Sequence, residues 1–133
     1  MVIDTSAVLA ILFNEPDAER FESALVSAPN RLMSAASVLE ASIVVESRLG
    51  EAGRQEFDQL LHVAQITLVP VTAQQVEVAR QASRTYGKGR HPASLNYGDC
   101  FSYALAKTTG EPLLFKGNDF SQTDILLWTF PQQ

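Results

Sequence analysis

The chain has 133 residues, 46% of them hydrophobic, and a net charge of −5. That length suits one domain with a substantial core, and the acidic balance excludes a generally cationic nucleic-acid binder while leaving room for a local basic patch. The single cysteine, Cys100, cannot close an internal disulfide; with no expected signal peptide and no apolar run near the roughly 20 residues of a membrane span, a cytoplasmic home is expected.

Taken in order, the residues read as alternating strands and helices. Met1 to Ile3 is a short buried strand, and apolar spacing from Ala7 to Phe13 is helical. From Asp17 to Val26 the apolar residues Ala18, Phe21, Ala24 and Leu25 recur at helical spacing, with charge on the opposite face. Arg31 to Met33 is a second short strand, and Ser34 to Leu49 a long helix stopped by Gly50. Glu51 to Ala64 continues helically. Ile66 to Val71 is the clearest strand, with Pro70 marking its end or an edge. Thr72 is placed to cap a helix running to about Tyr86. The loop GKGRHPASLNYG precedes a helix from about Asp99 to Thr109, and PLLF, residues 112 to 115, is the last buried strand. After Asp119 the pattern is too mixed to assign. Such alternation predicts a mainly parallel sheet with helices on both faces, a three-layer α/β/α sandwich formed by one domain over residues 1–133.

Ligands of such sheets bind beyond the carboxyl ends of the strands. Asp4 and Asp119 each follow a strand there, and Asp99 opens a helix. Each has a plain structural explanation: Asp4 as a helix cap, Asp99 as a complement to a helix dipole, Asp119 as part of a turn with Gly117 and Asn118. Glu40 is harder to explain away. Its helix face carries Ala36, Ser37, Ile43 and Val44, none of them a cation. Four carboxylates gathered at one edge would repel each other unless a cation joined them. His62 and His91 lack the spacing of a zinc site. An all-oxygen set suits Mg²⁺, with Mn²⁺ able to substitute, and such an ion activates water and stabilises charge on a phosphate.

VIDTSA at the start, Glu40 in mid-helix, NYGDCFSYALA and the ending LLFKGNDFSQTDI together resemble a PIN domain, and more closely the VapC toxins of bacterial VapBC toxin–antitoxin pairs. The resemblance covers nearly the whole chain. It implies an α/β/α endoribonuclease, dependent on Mg²⁺, with Asp4, Glu40, Asp99 and Asp119 around the metal. Ser6, Thr5 and Asn118 stand in supporting positions. Also implied are an RNA substrate, a homodimer, and inhibition by a VapB antitoxin in a hetero-oligomer. The basic, glycine-containing loop places Lys88, Arg90 and His91 close in sequence to Asp99, with Tyr97 beside it; phosphate contact and base stacking are expected of them. The serious rival is a PIN-fold scaffold that binds RNA or protein without cleaving, but scaffolds of that kind usually lose acids and all four are present. A receiver domain would need an acidic pair after the first strand, and a haloacid dehalogenase a second Asp at position 6, where this chain has Ser.

Overall fold

The computed structural model describes residues 1–131. Four short strands, β1 (Val2–Ile3), β2 (Leu32–Ser34), β3 (Thr67–Val69) and β4 (Leu113–Leu114), form one sheet in the order β3-β2-β1-β4. All three pairings are parallel, with Val2 opposite both Leu32 and Leu113. The helices are α1 (Thr5–Leu12), α2 (Ala18–Ser27), α3 (Ala35–Val63), α4 (Ala73–Tyr86) and α5 (Tyr97–Thr109).

Alternation along the strands divides the apolar residues between two cores. Met1, Ile3, Met33 and Leu114 pack with α1, α2 and α3 on one face of the sheet. Val2 and Leu113 pack with α4 and α5 on the other. The expected three-layer α/β/α sandwich is the observed one. The central strands are buried on both faces, which is why they read as unbroken apolar runs in place of an alternating pattern.

Boundaries shift by a residue or two. Arg31 lies outside β2: its guanidinium bonds the carbonyls of Leu25, Ala28 and Ala64, tying α2 to the end of α3. β3 is only three residues long, so Ile66, Pro70 and Val71 of the expected strand fall outside it. The helical run over Ala35–Val63 is broken where the sequence places a stop, since Gly50 has φ +65° and ψ −150°. The segment beyond Asp119, unassigned by pattern, covers the outer side of β4. Leu127 bridges Leu113, and Tyr103 and Lys107 on α5 bond Asp124 at 2.5 and 2.8 Å. No helix among the described residues is long and apolar enough to cross a membrane.

Candidate active site

The carboxyl edge of β1 and β4 positions the first acid. Asp4 caps α1 in extended backbone conformation, and its Oδ2 accepts from the Ser6 amide at 3.1 Å and the Ser6 hydroxyl at 2.6 Å. Its Oδ1 accepts from the Ser102 hydroxyl on α5, also at 2.6 Å. Ser37 of α3 lies 3.4 Å from Ser102; because the Ser102 proton goes to Asp4, Ser37 is the donor in that pair. Thr5 donates in turn to the Ser37 carbonyl at 3.3 Å. Asp4 is 5% exposed and bracketed by hydroxyls on both oxygens.

Asp99 sits at the third position of α5, held by a reciprocal capping box. Its amide donates to Asn96 Oδ1 at 2.9 Å, and its own Oδ2 accepts from the Asn96 amide at 3.0 Å. The plain account of Asp4 as a helix cap therefore holds, and Asp99 stands in the first turn of α5 as the dipole account expects, closing a capping box as well. Neither account explains the electrostatics. Burial first, then the Asp4 charge, then Asp119 through a side-chain hydrogen bond and its charge, push the Asp99 carboxyl up to about 7, against the Asn96 amide that lowers it. Asp99 thus responds to both Asp4 and Asp119.

Asp119 lies on an exposed turn after β4, with Asn118 exposed beside it and Gly117 at φ +108°. The Lys116 amide donates to Ser6 Oγ at 2.9 Å, which ties this turn to the first turn of α1. Glu40, half-buried on α3, lies against the backbone of α5. A Cβ built on Gly98 would come within 2.2 Å of its Oε2, so only glycine allows that approach.

None of Asp4, Glu40, Asp99 and Asp119 has an ion-pair partner among the described residues. Lys116, next to this edge in sequence, turns instead to Glu15 and Asp17. Two buried carboxylates without a cation are costly. The donors are all oxygens, as a hard divalent ion requires. Among the described residues no three His, Cys, Asp or Glu side chains stand close enough to grip an ion as they are. Asp4 and Asp99 instead spend their oxygens on hydroxyls and amides.

Ser102 and Ser37 were not candidates from sequence. The signal available was position: Ser102 is one helical turn beyond Asp99, and Ser37 one turn before Glu40, each a polar residue on an otherwise apolar helix face. In the basic loop, His91 is engaged locally, its Nδ1 accepting from the Ala93 amide and its ring meeting Tyr86 edge-on at 5.1 Å. Lys88 and Arg90 are exposed, and Tyr97 is 82% exposed with Phe101 edge-on to it at 5.0 Å.

These features define a class: an α/β/α protein whose uncompensated acids gather at the carboxyl edge of a parallel sheet. The chain belongs to the PIN domain family, whose model matches residues 1–126. It is 60% identical over 131 residues to Ribonuclease VapC30 of Mycobacterium tuberculosis, covering 98% of this chain and all of that one. It is 62% identical over 125 residues to Ribonuclease VapC of Mycolicibacterium smegmatis, covering 94% and 97%. Among solved structures, the fold is similar to Mycobacterium tuberculosis VapC20, described as a sarcin-ricin loop cleaving toxin, with a TM-score of 0.79 at 17% identity over 98% of both chains. A toxin-antitoxin complex from Klebsiella pneumoniae matches with a TM-score of 0.69 at 16% identity, covering 91% of this chain and 90% of that one.

Proposed function

We propose that this protein is a divalent-metal-dependent endoribonuclease and the toxin of a toxin–antitoxin pair, hydrolysing RNA phosphodiester bonds at the acid cluster. One observation carries the reading: Asp4 and Asp99 are buried, electrostatically coupled and without an ion-pair partner among the described residues. Relatives at 60% identity that are named ribonucleases supply the substrate class.

Asp4 and Asp99 would hold the ion in this reading, with Glu40 and Asp119 as the further acids of the site. Bound Mg²⁺ or Mn²⁺ supplies charge stabilisation at the phosphate and lowers the pKa of a bound water. Ser6 and Ser102 fix the plane of the Asp4 carboxylate, and Thr5 supports Ser37 behind them. Asn118 shares the Asp119 turn and helps set its approach. Lys88 and Arg90 take phosphates, and Tyr97 takes a base. The exposed Leu39 and Ile43 on α3, at 62% and 60%, give apolar surface for a VapB-type antitoxin or a second copy of the chain. A cytoplasmic location suits this RNA chemistry.

The test is incubation of the purified protein with total RNA, with and without Mg²⁺. The wild type cuts only with the metal, and Asp4→Asn and Asp99→Asn do not cut while keeping the native circular dichroism spectrum. Cleavage by the wild type in chelator, or by either variant at the wild-type rate, overturns the assigned chemistry.

A further inference from the structure

The turn that carries Asp119 is fastened at both ends and sparsely bonded between them. At the far end, Phe120 is buried and meets Phe115 edge-on at 5.2 Å. Gly117, Asn118 and Asp119 are exposed. Among the described residues, their backbone makes one hydrogen bond, the Asn118 carbonyl accepting from the Ser121 amide at 3.3 Å. The near end is Lys116. Its amide donates to Ser6 Oγ at 2.9 Å, and the Ser6 hydroxyl donates to Asp4 at 2.6 Å. Its ammonium donates to the carboxylates of Glu15 and Asp17, the latter at 3.1 Å.

Glu15 and Asp17 belong to the connection between α1 and α2, which is a stiff anchor. Asn14 holds φ +50°, and Pro16 fixes its own φ. The Glu15 amide donates to the Ala10 carbonyl at 3.0 Å, and the Glu15 carbonyl accepts from the Ala18 amide at 2.9 Å. Asp17 stands at the N-cap of α2 but makes no side-chain cap bond there, although Asp is among the residues best suited to one. Its carboxylate goes to Lys116 instead. Isolated surface ion pairs contribute little, but one ammonium shared by two half-buried carboxylates on a rigid connection is a network.

Asp119 bonds the side chain of Asp99 across the site. That contact requires the turn to keep its place, and the bare residues 117–119 give it little to hold it there. We infer that Lys116 is a positioning residue whose ammonium, gripped by Glu15 and Asp17, fastens the turn that presents Asp119 to Asp99. The inference rests on the ribonuclease reading above and adds to it what holds the fourth acid in place. Because the Lys116 side chain is 37% exposed, its replacement should leave the core intact.

The readout is the Mn²⁺ affinity of the full chain by calorimetry, with amide hydrogen exchange in chelator beside it. Lys116→Met should weaken Mn²⁺ binding about tenfold, at the low end of what groups that orient metal ligands contribute. In chelator, the Lys116 amide, shielded by Ser6 in the wild type, should exchange faster, with the strands unchanged. Lys116→Arg should keep most of the wild-type affinity and protection, and Glu15→Gln/Asp17→Asn should reproduce the loss. In an Asp119→Asn background, Lys116→Met should cost nothing further, since the tether acts through that acid. Unchanged affinity in Lys116→Met, or the same loss with and without Asp119, overturns the inference. If Lys116→Met leaves Mn²⁺ affinity alone and lowers the salt slope of RNA binding instead, Lys116 holds a phosphate and the tether fails. Wild type incubated with RNA and Mg²⁺ separates the two readings. Cleavage with no effect of Lys116→Met rejects the tether alone, whereas neither Mn²⁺ binding nor cleavage by the wild type rejects the ribonuclease reading with it.

Discussion

At the scale of single residues, the site is governed by how two buried carboxylates are held apart and kept soluble in protein. Ser102 is the member with the least alternative purpose: it is fully buried and its proton is spent on Asp4. Groups that orient metal-binding carboxylates typically contribute 10- to 100-fold in affinity. Ser102→Ala should therefore weaken Mn²⁺ binding by about tenfold in calorimetry. Unchanged affinity would make the serine a packing residue. Asp99 gives a pH test. With its carboxyl near 7 in the folded chain and near 4 when unfolded, the native state retains a proton that the unfolded state releases between those values. Stability in chelator should then fall as pH rises from about 4 to 7. Asp99→Asn should flatten that part of the profile, as read by urea melts at several pH values. Gly98 supplies a third case. Gly98→Ala drives a methyl into the Glu40 carboxylate and should cut cleavage sharply, with only a small shift in melting temperature.

At the scale of elements, α5 joins the two halves of the site, since Asn96 caps it, Asp99 closes the capping box and Ser102 reaches across to β1. Loss of an Asn cap costs about 1 kcal/mol. Asn96→Ala should therefore lower the melting temperature by a few degrees, and Asn96→Asp should recover most of it. Much of this level was legible. The Gly50 break, the Thr72 cap and the strand–helix alternation each rest on local chemistry that tertiary contacts leave in place. What was not legible depends on distant contacts. Leu127 joins the edge of β4 only because Leu113 offers it bonding groups, and no short-range pattern announces that. Likewise the three aspartates stand out from their positions at strand and helix ends, whereas the bond from Ser102 to Asp4 emerges only when α5 is laid along β1. Arg31 reads as a strand residue because the apolar Leu32 and Met33 follow it; its guanidinium works instead as a clamp on three carbonyls.

At the scale of the whole molecule, the problem is how a chain of net charge −5 attracts a polyanion to an edge that already gathers acids. Long-range attraction cannot come from the overall field, which is repulsive, so it must come from charges left unneutralised near that edge. Among the described residues the contacts divide them, with seven cations engaged by carboxylates, rings or carbonyls and Arg84, Lys88 and Arg90 meeting none of these. Each phosphate contact to a single strand contributes roughly 0.7 to the slope of log affinity against log salt. Replacing Lys88 and Arg90 together by Ala should therefore reduce that slope by up to about 1.4 and weaken RNA binding most at low salt. Both are cations with no lone pair to offer a metal ion, so Mn²⁺ affinity measured by calorimetry should stay at the wild-type value. Lys107→Ala serves as the control, because that cation is committed to Asp124 and its loss should leave the slope alone. A double variant with an unchanged slope and full cleavage would take the loop out of the RNA path. If the same protein then bound a VapB-type antitoxin less tightly, the cations of this loop would be serving the protein partner and the strand would have to be gripped elsewhere.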